Sequence, residues 1–253
     1  MKHIPNFITS LNLASGFIAI ILLFNGEPVM ACWMLAAAMI FDFFDGFASR
    51  LLNAYSDMGK ELDSLADLVS FGVVPGMIIY QLLSASHNST PVSIFSDPLN
   101  LVFIFISALM PVCAGLRLAK FNTDTTQKTS FKGLPTPASA LAVISVAIAG
   151  RYGNSPLTGS LMSSTFAIIV FSLVLSLLMV TRISLLSLKF TDFGLRDNLP
   201  RYVLILVSVL LMAILGAEGI MFIIPSYIIV SLISDLTYHW LKPEEHYKKR
   251  NGV

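Results

Sequence analysis

The sequence predicts an all-α, polytopic transmembrane helix bundle. Three observations carry that class. Of 253 residues, 55% are hydrophobic and only 12% are charged, against about 25% charged in a soluble domain. The deficit is spread along the chain, which rules out a soluble domain on a single anchor. Apolar runs near the ~20 residues that a membrane-crossing helix needs recur from one end of the sequence to the other.

Eight spans are expected, at roughly 8–25, 29–50, 61–83, 99–121, 137–152, 162–181, 201–216 and 219–239, with ends uncertain by about 2–4 residues. The first follows a weakly basic start (Lys2, His3) and runs through Ile18–Phe24 with no separate cleavage region, so it reads as a span and not as a leader. The second ends in a cluster of acids, and the third begins near Gly59 and carries two more. In the third, Gly72-x3-Gly76 reads as a close helix contact inside the bundle in preference to a dimer seam, and Pro75 marks a kink. The 84–98 segment is polar and lacks Lys and Arg, which suits an outer loop. The 122–136 and 182–200 segments are the inner loops, and the fifth and seventh spans are short. Only Gly216-Ala217-Glu218-Gly219 separates the last two spans. The tail beyond Lys242 is charged and expected to fray.

Charge tests this count. With eight spans, both termini share one side, and that side receives fifteen of the sixteen basic residues; Arg151 alone falls opposite. The positive-inside rule then places both termini in the cytoplasm. The formal charge of +1 offers no reason to expect nucleic acid as a partner, and the basic inner face is expected to meet anionic membrane lipids. Cys32 and Cys113 sit singly inside spans and read as small buried apolar residues.

Against this apolar background, Asp42, Asp45, Asp63 and Asp67 stand out, four carboxylates within 26 residues. Each charge at the bilayer centre costs ~2.5–3.5 kcal/mol on insertion scales. Asp42 and Asp45 are i,i+3 neighbours near the end of one span, and Gly59, Asp63 and Asp67 are i,i+4 neighbours at the start of the next. A short antiparallel connection would converge all four near the inner boundary. Oxygen-only ligands select hard ions, so Mg²⁺, Mn²⁺ or Ca²⁺ fit and Zn²⁺ does not. Two ions ~3.5–4 Å apart would clamp a phosphoryl group. Gly46 and Gly59 would let a polar ligand approach, and Arg50 supplies a planar fork for phosphate oxygens. The pattern points to phosphoryl transfer on a diphosphate. A cation pathway in a transporter is the alternative from a different class.

The run Asp42-x2-Asp45-Gly46-x2-Ser49-Arg50-x8-Gly59-x3-Asp63-x3-Asp67 resembles the signature of the CDP-alcohol phosphatidyltransferase family, D-x2-D-G-x2-A-R-x8-G-x3-D-x3-D. Seven of eight fixed positions match, with Ser49 in place of Ala. The resemblance implies a six-helix core over residues 1–181, about two additional helices over 182–240 and a charged cytoplasmic tail over 241–253. It implies two divalent ions (Mg²⁺ or Mn²⁺), a cytoplasmic site, a homodimer, and an alcohol displacing CMP from a CDP-linked lipid. Carried over by position, Asp42, Asp45, Asp63 and Asp67 are metal ligands, and Asp67 is also the general base. Gly46, Ser49, Arg50 and Gly59 line the nucleotide pocket. Pro5-Asn6-x2-Thr9-x2-Asn12 resembles the family's lead-in, so Asn6, Thr9 and Asn12 are placed toward the CDP-lipid, although Asn6 or Thr9 could equally cap the first helix.

Three further segments resemble the branch of the family that makes phosphatidylserine: Leu62-Asp63-Ser64-Leu65-Ala66-Asp67 running into Ser70-Phe71-Gly72-Val73, Arg117-Leu118-Ala119-Lys120-Phe121-Asn122, and Phe131-Lys132-Gly133-Leu134-Pro135. The resemblance implies CDP-diacylglycerol and L-serine as substrates. Serine bears a carboxylate, and Arg117 could clamp it in a bidentate pair; a snorkelling anchor is the plainer role for that arginine. A phosphorylated acceptor would call for more arginines than Arg117 and Arg182, beside Lys120, at those inner helix ends.

Overall fold

The computed structural model describes residues 3–87, 98–123, 133–153, 155–181, 183, 185, 186 and 194–241. Every described element is helical. In order they are α1 (His3–Phe24), α2 (Pro28–Leu51), α3 (Asp57–Leu68), a π turn (Val69–Val73), α4 (Val74–Ser86), α5 (Pro98–Thr123), α6 (Thr136–Tyr152), α7 (Pro156–Ser163), α8 (Thr165–Val180), α9 (Leu195–Leu215), a 3₁₀ segment (Gly216–Phe222) and α10 (Ile223–Leu241). Each expected span falls on a helix. Those over His3–Phe24, Pro28–Leu51, Asp57–Ser86, Pro98–Thr123 and Asn198–Leu215 are long and apolar enough to cross a membrane; Thr165–Val180 and Glu218–Ser234 are apolar but shorter.

Proline and glycine explain most of the irregularities. Pro75 has no N–H for the carbonyl of Phe71, and the chain answers with the π turn, in which the Val74 N–H reaches back to Val69. The expected kink is therefore a widened turn inside a continuous Asp57–Ser86 rod. Pro111 likewise deprives the Ser107 carbonyl of its donor in α5. A Cβ added to Gly76 would lie 2.9 Å from that carbonyl oxygen, and one added to Gly72 would lie 3.1 Å from Ala114 Cβ. The Gly72-x3-Gly76 pair thus seats the π turn and α4 against α5, inside the bundle. Gly216, at φ +58°, stops α9 and opens the 3₁₀ segment where the last division was expected.

The sixth span lies within its expected bounds, but a helix that was not expected comes before it. The span starts at Thr165, and the separate eight-residue α7 precedes it. Two serines cause the break: Ser155 accepts from the Thr158 N–H at 3.3 Å and Ser164 from the Ala167 N–H at 3.3 Å, so each caps its own helix. The core is a layer of Ala19, Leu35, Phe71, Ile79, Phe103, Met110 and Val143, all 1% exposed or less. Large apolar side chains such as Phe7, Phe17, Phe105 and Ile214 point outward and form the surface that lipid would cover.

The third branch-like segment acts as a cap. Gly133, at φ +80°, donates its N–H to the Ile183 carbonyl at 2.8 Å, and Leu134 donates to the Leu178 carbonyl at 2.9 Å. A Cβ at Gly133 would fall 2.7 Å from the Thr181 carbonyl oxygen, so only glycine fits against the end of α8. Phe131 and Lys132 lie outside the described residues, as do Lys128, Arg182 and the charged tail.

Candidate active site

The acids converge because α2 stops abruptly and α3 starts at once. Asn53 takes the left-handed conformation (φ 47°), its N–H bonds to the Arg50 carbonyl at 3.3 Å, and the Ala54 N–H bonds to the Ser49 carbonyl at 3.0 Å. This is a Schellman stop with Asn in place of the usual Gly. Ser56 then caps α3 by accepting from the Gly59 N–H at 3.0 Å. Asp57 sits in the exposed first turn of α3, where a negative charge suits the helix dipole.

Across this turn, one carboxylate oxygen from each of Asp42, Asp63 and Asp67 lies within 4.8 Å of the others. Asp45 falls outside that trio. It is buried, near enough to interact electrostatically with the other three acids, and faced by the Thr9 hydroxyl. Asp45 Oδ2 and Asp63 Oδ1 are buried with no hydrogen-bond partner. A buried, unpartnered carboxylate oxygen is costly, and two of them in an all-carboxylate cluster fit a hard divalent cation.

The first helix supports Asp67 from behind. Asn12, with no exposed surface, donates from Nδ2 to Asp67 Oδ1 at 3.3 Å, and its backbone carbonyl accepts from Ser70 Oγ at 3.1 Å. Gly16 makes the approach possible, since a Cβ there would lie 2.5 Å from Ser70 Oγ. Neither Asn6 nor Thr9 caps α1, which already begins at His3. Thr9 is buried and donates to the Pro5 carbonyl at 3.0 Å. A Cβ at Gly59 would lie 2.8 Å from Asn6 Oδ1, so the room at Gly59 is taken by Asn6. Gly46 differs: a Cβ there would meet only Arg50 Nη2, at 3.9 Å. Space over α2 therefore remains beside an exposed Arg50, whose Nε donates to the Gly46 carbonyl at 2.9 Å. Ser49 is half-buried one position before that arginine.

Arg117 is half-buried in a cleft between α5 and the end of α8 that Lys120, Phe121, Met179 and Thr181 also line. Its Nε is buried without a partner, and Asp67 and Tyr227 are its electrostatic neighbours. Tyr227 comes from α10 and donates to the Leu186 carbonyl at 2.9 Å. Nothing in its apolar stretch of sequence marks it as a neighbour of Arg117.

A sequence model of the CDP-alcohol phosphatidyltransferase family matches residues 2–225. The chain belongs to this family. The match includes the whole acidic site and runs well beyond residue 181, where the resemblance ended the core. The chain is 31% identical over 236 residues to a CDP-diacylglycerol–serine O-phosphatidyltransferase of Helicobacter pylori, covering 90% of this chain and 89% of that protein. It is 38% identical over 144 residues to the enzyme of the same name from Bacillus subtilis, covering 57% of this chain and 75% of the relative. An archaetidylserine synthase of Methanothermobacter thermautotrophicus is 31% identical over 174 residues, covering 68% of this chain and 66% of the relative. Membership makes the chain a transferase embedded in a membrane and sets the transporter alternative aside. It also accounts for the acidic cluster as a place where a metal can be held.

Proposed function

We propose that the chain is a CDP-diacylglycerol–serine O-phosphatidyltransferase, converting CDP-diacylglycerol and L-serine to phosphatidylserine and CMP. The observation that carries the reading is the convergence of Asp42, Asp63 and Asp67, with Asp45 at its edge, in a chain that aligns with serine phosphatidyltransferases over most of its length. Asp42, Asp45, Asp63 and Asp67 would hold two divalent ions, Mg²⁺ or Mn²⁺. When bound, such ions supply positive charge to the diphosphate and to the departing CMP oxygen. Arg50 and the open surface at Gly46 receive the diphosphate and nucleotide, with Asn6, Thr9, Ser49 and Gly59 forming the wall beside them. Asp67 accepts the proton of the seryl hydroxyl. The seryl oxygen bonds to the phosphorus that carries diacylglycerol, and the bond from that phosphorus to the CMP oxygen breaks.

Arg117 is the serine carboxylate clamp in this reading. Its buried, unpartnered Nε, with Asp67 as an electrostatic neighbour, supports that role over a membrane anchor. The site faces the cytoplasm, as the basic residues argue, and the chain works as a homodimer, as the resemblance implies. The deciding experiment uses purified protein, labelled CDP-diacylglycerol and a panel of acceptor alcohols, with Mn²⁺ or Mg²⁺. Serine should be the preferred acceptor. Arg117→Lys, which keeps charge but loses the fork, should raise the KM for serine about tenfold or more, the loss of a charge-assisted bond of ~1.5–3 kcal/mol. The KM for CDP-diacylglycerol should stay put. Transfer to glycerol phosphate or inositol phosphate in preference to serine would overturn the acceptor assignment.

A further inference from the structure

Three polar residues outside the proposed machinery close a ring between the helix of the metal ligands and the helix of Arg117. Asn122 Nδ2 donates to Ser64 Oγ at 2.8 Å, Ser64 Oγ donates to the Lys60 carbonyl at 3.1 Å, and Lys60 Nζ donates to the Asn122 carbonyl at 3.0 Å. Every donor has one acceptor, and the lysine satisfies a carbonyl in the last turn of α5, where helical partners run out. Ser64 lies between Asp63 and Asp67 on α3. Asn122 lies five residues beyond Arg117 on unbroken α5, about 7.5 Å along the axis.

α3 is fixed independently by the Ser56 cap, by Asn12 on Asp67 and by Asn6 against Gly59. Lys60 and Ser64 hydrogen-bond α5 to it at this end. We infer that Ser64 and Asn122, with Lys60, are positioning residues that fix the inner end of α5, and hence Arg117, at a set distance from the acidic site, so that the ring tunes affinity for the acceptor alcohol. The inference rests on Arg117 receiving the acceptor.

Two readouts separate its failure from failure of that reading. In kinetics, Ser64→Ala and Asn122→Ala should each raise the KM for serine about three- to tenfold, with the KM for CDP-diacylglycerol and the metal activation curve unchanged. The double variant should be no worse than the worse single one, because both variants break the Asn122–Ser64 bond and Ser64→Ala already removes the rest of what Ser64 makes. Ser64→Thr, which keeps the hydroxyl, should restore the wild-type KM. A general loss of stability would not produce this split. In the second readout, spin labels at the exposed Glu61 and Leu116, with native cysteines replaced, report the α3–α5 separation without any turnover. The distance distribution should broaden in Ser64→Ala and recover in Ser64→Thr. An unchanged distribution overturns the ring whatever the acceptor is. A broadened distribution with an unchanged KM for serine overturns its coupling to the acceptor, and wild-type protein that fails to use serine overturns the functional reading alone.

Discussion

Asn12 should matter for turnover through its hold on Asp67. Its side chain has no exposed surface and gives Asp67 Oδ1 a hydrogen bond from the first helix, 55 residues away in sequence. That bond holds the Asp67 carboxylate in one orientation toward Asp42 and Asp63. A hydrogen bond to a charged group contributes ~1.5–3 kcal/mol. If the transition state depends on the orientation it imposes, Asn12→Ala should lower kcat by about 10- to 150-fold, at about tenfold per 1.36 kcal/mol. The fold should survive, because Ser70 bonds to the Asn12 backbone carbonyl, which alanine retains. Asn12→Asp keeps the shape and removes the amide donor, so it should be at least as impaired. The assay is CMP release in detergent with serine, CDP-diacylglycerol and Mn²⁺ all saturating, beside a thermal melt to confirm folding. Folded Asn12→Ala turning over within about twofold of wild type would refute the argument, since Asp67 would then be placed by its own helix alone.

Two other perturbations test separate parts of the molecule. Asp63→Asn removes charge from the trio and should leave less than about a tenth of the wild-type rate in folded, membrane-inserted protein; a milder effect would count against Asp63 as a metal ligand. Glu218, buried in the 3₁₀ segment, accepts from the Ser155 N–H at 2.7 Å and the Thr158 hydroxyl at 2.6 Å, tying the last helices to the start of α7. Glu218→Ala orphans that N–H at a cost of ~1–3 kcal/mol and should lower the unfolding midpoint while leaving kcat at low temperature unchanged; a midpoint identical to wild type would show that the tie is dispensable.

What the sequence made legible divides along sequence separation. The acidic site could be read because its parts are local. The 3.6-residue period places Asp42 with Asp45 and Asp63 with Asp67 on single helix faces, and the turn that joins them spans only residues 52–56. Pro75 announced a disturbance at the right place, although not that a π turn would absorb it. The break before α8 was missed because its signal is a pair of serines in an otherwise apolar run, and serine is common in such runs without capping anything. The contacts that orient the site were invisible for another reason. Asn12 with Asp67, Ser64 with Asn122 and Thr158 with Glu218 are pairs 55 to 60 residues apart, and no local periodicity couples them.

A weaker signal was nonetheless present in kind. A polar side chain inside a membrane span is costly unless it is paired, so Asn12, Ser70 and Glu218 each announced a partner without naming it. Backbone spacing then decides who the partner can be. Gly16 lets α1 approach Ser70, and that approach in turn brings Asn12 onto Asp67. In this bundle small residues set the helix separations and polar residues use them, and the geometry of the acids follows from both.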